Sequence, residues 1–146
     1  MKLVDTNVLI YAVDEQSKQH QAAKGWLDNS LSGQISVGFA WQALLGFVRI
    51  STHAAIFSEP LSHSEAMNYV DLWLGARSAH LLHPGATHSQ IMRECLDEVG
   101  QGGAIASDAH LAALAKEHKA TVVTFDSDFA RFPGIRWERP WADSSA

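Results

Sequence analysis

Short apolar runs alternate with longer stretches of helical periodicity along the whole chain. The first run, Leu3-Val4 before Asp5, reads as a buried strand over 2–5, followed by a helix over 8–13. Ala22, Ala23, Trp26 and Leu27 recur at helical spacing and predict a helix over 17–29. Gly33 then turns the chain into a strand over 34–37. Residues 39–50 are strongly apolar at helical spacing, with Trp41, Leu44, Leu45 and Val48 as the stripe. Ser62, with Glu65 three positions on, is a capping box that opens a helix to about Leu74. A strand over 79–83 and a helix over 87–99 follow. Gly100, Gly102 and Gly103 form a hinge before the clearest helix, 105–119, in which Ala109, Ala112, Ala113 and Leu114 pack while Lys116, Glu117 and Lys119 face water. The β-branched run 121–125 is the last strand expected, and it stops at Asp126.

Strands that alternate with helices imply an α/β fold: a mostly parallel sheet covered on both faces, a three-layer α/β/α sandwich. No repeat or linker interrupts the pattern, so 1–141 is expected to be one domain and 142–146 a tail. In such sheets ligands bind beyond the carboxyl ends of the strands. Asp5 and Asp126 stand at two such ends, Asp128 follows two positions later, and Asp108 lies near the start of the 105–119 helix. Each has a simpler reading: Asp5 as a helix cap, Asp108 as a first-turn acid, Asp126 and Asp128 as turn formers. Brought to one sheet edge, however, they repel unless a cation neutralises them. Hard cations such as Mg²⁺ and Mn²⁺ prefer carboxylate oxygen and support phosphodiester hydrolysis by an activated water.

Composition narrows the classes. The chain has 146 residues, 47% hydrophobic and 18% charged, which excludes a disordered protein. No run reaches the roughly 20 apolar residues of a membrane-spanning helix, so no membrane association is expected. A single cysteine, Cys95, excludes an internal disulfide and fits a reducing cytoplasm. Eleven basic against sixteen acidic side chains give a net charge of −5, which argues against a broad nucleic-acid footprint. Locally the sign reverses: residues 129–141 carry Arg131, Arg136 and Arg139 against Glu138 alone, among Phe129, Phe132, Trp137 and Trp141. Those arginines are candidate RNA contacts, and the aromatics are candidates for base stacking, with at least two expected in the core or at a dimer contact.

Three segments in order, MKLVDTNVLIYA at the start, SDAHLAALAKEH at 107–118 and VVTFDSDFARFPG at 122–134, resemble the PIN-domain proteins, and more narrowly the toxin ribonucleases of VapC-type toxin–antitoxin pairs. VGFAWQALLGFVRIST at 37–52 is similar to the actinobacterial branch. The resemblance implies a Mg²⁺- or Mn²⁺-dependent endoribonuclease, homodimeric, inhibited by a small antitoxin protein. By motif position it implies Asp5, Asp108 and Asp126 as the catalytic and metal-binding carboxylates, with Asp128 as a helper ligand. Thr6, Asn7, Gln42 and Thr124 are then expected around the ligands, with Thr6 and Thr124 holding the carboxylates by hydrogen bonds.

One family acid is missing. The helix after the second strand lacks any Asp or Glu, and the vacant position falls at Gln42 or at Gly46, which share a helix face. This keeps open a second reading, a PIN-like module that binds RNA or an antitoxin with little catalysis. A third, a receiver-like domain phosphorylated on Asp5, lacks the paired acids such domains use. Arg49 is read first as a surface or structural residue and second as a phosphate contact. His80 and His83 point to opposite faces of a strand and build no zinc site. His110 is read as packed or solvated, and Trp41, Phe47 and Trp73 as core.

Overall fold

The computed structural model describes residues 1–141; the expected tail at 142–146 lies outside them. Five strands, β1 Lys2–Val4, β2 Val37–Phe39, β3 Ala79–Leu81, β4 Thr121–Val123 and β5 Trp137–Glu138, form one parallel sheet in the order β3-β2-β1-β4-β5. Six helices connect them: α1 Thr6–Val13, α2 His20–Leu31, α3 Trp41–Ser51, α4 His63–Leu74, α5 His88–Val99 and α6 Ile105–His118. β1 and β4 are central neighbours, in the register Leu3 to Val122 and Val4 to Val123.

Period-two alternation divides the sheet into two faces. Val4, Val37, Phe39 and Val123 pack with α1 to α4, around Leu9, Leu27, Leu44 and Phe47. Leu3 and Val122 pack on the other side with α5 and α6, around Leu111, Leu114 and Phe129. The expected three layers are present, and each fully buried Leu, Val or Phe contributes about 1.5–3 kcal/mol.

The sequence pattern locates most elements and misses some edges. β2 runs Val37–Phe39 instead of 34–37, because Gln34 and Ile35 are exposed while all three strand residues are buried. β5 was not expected; two half-buried residues beside Pro140 are too short to leave an alternating pattern. The Ser62–Glu65 capping box forms, with both of its hydrogen bonds at 3.0 Å. The glycine hinge is a pair of tight turns, Gly100 at φ 76° closing α5 and Gly103 at φ 69° before α6.

Three packing expectations need correction. Trp41 is not core: it opens α3 and is 48% exposed, as is Leu45 at 65%. The buried stripe of α3 is instead Ala43, Leu44 and Phe47. Phe47 and Trp73 are core as expected, in edge-to-face contact at 4.8 Å. Glu117 does not face water. Its carboxylate folds back on the turn before α5, accepting from Gly85 N at 2.8 Å and pairing with His88 Nδ1 at 2.5 Å. His88 in turn contacts His110 Nδ1 at 2.9 Å, so His110 is packed.

α1 and α3 approach closely where Gly46 faces Thr6. A Cβ on Gly46 would lie 2.8 Å from Thr6 Oγ1, whose hydroxyl donates to Ala43 O at 3.0 Å. Gly46→Ala is expected to lose about 1–3 kcal/mol to overpacking, offset by up to ~1 kcal/mol of helix propensity. Urea denaturation should show a net loss. Adding Thr6→Ala should recover most of it, since the two sites couple directly.

Candidate metal centre

The site is built where β1 and β4 stop side by side. Asp5 follows β1 in extended conformation, and its N–H donates to Val123 O at 3.0 Å. Its Oδ1 accepts from Thr6 N at 2.7 Å and so caps α1, which is why the helix begins at Thr6 and not at Val8. Its Oδ2 accepts from Thr124 Oγ1 at 2.8 Å and from Asn7 Nδ2 at 3.3 Å. Thr124 Oγ1 also accepts from Asn7 Nδ2 at 3.1 Å and from Asp126 N at 3.0 Å, while Asn7 Oδ1 accepts from Phe125 N at 3.1 Å. Side chains thus continue the pairing of β1 with β4 past the last strand residues.

Asp126 caps the 3₁₀ turn Ser127–Arg131 by accepting from Asp128 N at 2.9 Å. That turn swings Asp128 back toward the sheet edge, and the first turn of α6 brings Asp108 to the same place. One carboxylate oxygen from each of Asp108, Asp126 and Asp128 lies within 4.8 Å of the others. Asp5 is outside this compact group and lines the same cleft, close enough for Asp126 to raise its pKa. Burial is the larger cause of that rise, and the hydrogen bonds from Thr124 and Thr6 oppose it. The Asp108 carboxyl is pushed up to about 7, first by burial and then by the charges of Asp5, Asp126 and Asp128. Four acids held this way favour a bound cation.

Gln42 and Gly46 are distinguished here. Both line the cleft, but Gly46 has no room for a side chain beside Thr6. The Gln42 Oε1 is buried without a hydrogen-bond partner, an oxygen donor compatible with a hard cation. Thr6 differs from expectation: its backbone N–H serves Asp5, but its hydroxyl joins α1 to α3. Thr124 and Asn7 are the side chains that donate to Asp5.

The basic segment is not brought to the cleft. Arg131, Arg136 and Arg139 are exposed and absent from its walls, and Arg136 donates to Lys119 O. Phe129 and Phe132 are core, whereas Trp141 is 60% exposed. The cation that lines the cleft is Arg49, whose second reading was a phosphate contact; Tyr11, Asp14, Ile56 and Phe57 line it too and were not selected from the sequence. A signal was present: Asn7, Ile10, Tyr11 and Asp14 are spaced as one helix face, as are Gln42, Gly46, Arg49 and Ile50. His80 and His83 are exposed, and Asp108, Asp126 and Asp128 are the metal-type cluster found among the described residues.

The Asp108 shift predicts a pH dependence of stability. The folded chain holds this proton up to about pH 7, whereas the ordinary value is 3.8. Protons bound in excess by the folded state are released as pH rises, so stability falls across that window. Without metal, Asp108→Asn should raise the melting temperature at pH 8. The gain should shrink toward zero as pH approaches about 4, by thermal melting in EDTA.

A PIN-domain family model matches residues 2–135. Ribonuclease VapC37 of Mycobacterium tuberculosis is 49% identical over 140 residues, covering 96% of this chain and 97% of that protein. Ribonuclease VapC33 of the same species is 36% identical, covering 96% and 98%. Among solved structures, the Mycobacterium tuberculosis sarcin-ricin loop cleaving toxin VapC20 superposes with a TM-score of 0.67 at 17% identity, covering 93% of this chain and 99% of that one. VapBC2 from Rickettsia felis, bound to a promoter DNA fragment, gives 0.69 at 18% identity, covering 95% and 98%. With its parallel sheet and its acids gathered at the strand ends, the chain belongs to the PIN-domain family, in the branch of the VapC ribonucleases.

Proposed function

We propose that this chain is a metal-dependent endoribonuclease, the toxin of a toxin–antitoxin pair. The observation that carries the reading is the convergence of Asp108, Asp126 and Asp128, two of which line one open cleft with Asp5. The ribonuclease names of its relatives support the RNA substrate. Asp5, Asp108 and Asp126 are assigned as the catalytic carboxylates, with Asp128 and the Gln42 oxygen completing the donor set. When bound, Mg²⁺ or Mn²⁺ would neutralise these acids, activate water and polarise a phosphate oxygen.

The chain's own residues prepare that chemistry. Asn7 and Thr124 donate to Asp5 and hold its carboxylate in one orientation, which would limit the reordering needed on metal binding. Burial and the neighbouring acids raise the Asp108 pKa to about 7, and a bound cation would favour its ionised form. No side chain is required as nucleophile. Outside the cleft, Arg131, Arg136 and Arg139 are each exposed, and their charge suits contacts to RNA backbone. The exposed Trp41, Leu45 and Leu72 on α3 and α4 suit a homodimer or an antitoxin contact. A VapBC complex among the solved relatives supports an antitoxin partner. No helix among the described residues is long and apolar enough to cross a membrane, and a cytoplasmic site of action is proposed.

Gel assays of the purified chain on RNA test the reading. Cleavage should require Mg²⁺ or Mn²⁺ and stop in EDTA. Asp108→Asn should slow it on the order of 100-fold, ~2.7 kcal/mol of barrier, while the fold grows more stable. Metal-dependent cleavage that survives this substitution would remove Asp108 from the site. RNA binding with no cleavage would favour the binding-module reading.

Gln42→Glu tests the missing acid. It adds charge at constant length, and Mn²⁺ should bind on the order of tenfold more tightly, ~1.4 kcal/mol by calorimetry. A lower melting temperature with unchanged metal affinity would mean the side chain does not reach the ion.

A further inference from the structure

The cleft is larger than a metal site needs. It encloses about 510 Å³, within the range of sites that take a small molecule. Asp5, Asp108 and Asp126 line one end, and Asp14 lines the other. From the first end the groove runs outward between a face of α1 and a face of α3, from Thr6 beside Gly46 to Asp14 and Ile50. At 1.5 Å of rise per residue, Thr6 to Asp14 is about 12 Å.

The outer half differs chemically from the inner. Ile10, Ile50, Ile56 and Phe57 line it together with Asp14, and Tyr11 is half-buried with its ring edge-to-face with Phe125 at 5.4 Å. Arg49 is the cation that lines the cleft. Although several acids share that cleft, no carboxylate among the described residues lies within 4.0 Å of Arg49. An exposed guanidinium without an acidic partner, sharing a groove with an aromatic ring and with the carboxylate cluster, matches the repeating unit of a single-stranded polynucleotide: phosphate, then base.

We propose that the outer groove is a nucleotide subsite. Arg49 holds the phosphate next to the one cleaved, and the Tyr11 ring stacks on the adjoining base. The assignment rests on the ribonuclease reading for its choice of RNA, and it adds positioning residues that touch no metal. The unpaired Arg49 and the Tyr11 ring that share this groove favour RNA over a protein segment, with Asp14 at the far end as the opposing charge.

The test uses the full chain and fluorescein-labelled single-stranded RNA dodecamers of random sequence, with Ca²⁺ in place of Mg²⁺, read by anisotropy. Arg49→Gln should weaken binding on the order of tenfold and reduce the logarithmic salt slope by about 0.7, one single-strand phosphate contact. Tyr11→Leu should weaken it roughly 5- to 100-fold, and Tyr11→Phe should restore it, since stacking needs the ring and not the hydroxyl. Melting temperatures check that each variant is folded. Unchanged affinity and slope in folded Arg49→Gln and Tyr11→Leu overturn the proposal and leave the outer groove to a protein occupant. Failure of the wild type to bind overturns it as well. Cleavage of the same RNA in Mg²⁺ is scored separately. Binding with these dependences but no cleavage sinks the nuclease reading and leaves the subsite standing.

Discussion

Mutual repulsion of carboxylates is the constraint around which this molecule is arranged. Acids left free would turn apart into water; here the backbone does not let them. Asp5 is fixed by the end of β1, by the cap it forms on α1 and by Thr124 across the sheet. Asp126 and Asp128 are fixed by a 3₁₀ turn that one of them caps. Asp108 is fixed by its place in the first turn of α6, among buried Ile105 and Ala109. The cost of gathering them appears as a carboxyl that holds its proton to about pH 7. Stability given up at such a place is the usual mark of a functional site.

The rest of the fold can be read as support for that arrangement. β1 and β4 are the central strands, so their ends are held from both sides and both sheet faces. The Glu117–His88–His110 chain ties α5 to α6, with Gly85 and Thr87 also reaching Glu117. It lies on the helix that carries Asp108. Burial and the neighbouring His88 lower the His110 pKa, favouring a neutral ring inside this contact. On the opposite face, the close approach of α1 and α3 at Gly46 sets the width of the groove leading to the acids.

How much of this is legible in the sequence depends on the range of the cause. The helices and the inner strands follow from local periodicity, and Asp5 and Asp126 follow from where apolar runs stop. The Ser62–Glu65 box is a three-residue signal and appears as expected. What escapes is decided at long range. Glu117 looks solvated from its own helix, and only Gly85 and His88, some thirty residues upstream, bury it. Trp41 looks like core from its hydrophobicity, yet its position in the first turn of α3 turns it outward. β5 gains its identity from pairing with β4, since two residues carry no period.

The basic segment shows the same limit from the side of function. Three arginines close in sequence suggest a binding surface, but the chain after β4 carries them away from the cleft and buries Phe129 and Phe132 beneath them. Arg49 stands alone in an apolar helix, where composition gives it no weight. Its significance comes from the crossing of two helices: α3 presents Gln42, Gly46, Arg49 and Ile50 on the face opposite Asn7, Ile10, Tyr11 and Asp14 of α1. The missing acid belongs to the same geometry. A carboxylate at 46 would have to displace Thr6 and its bond to Ala43, whereas residue 42 carries a full side chain that lines the same cleft as Asp5, Asp108 and Asp126. The close packing that shapes the groove thus denies an acid to one of the two candidate positions, and the neutral oxygen at the other is what the fold retains there.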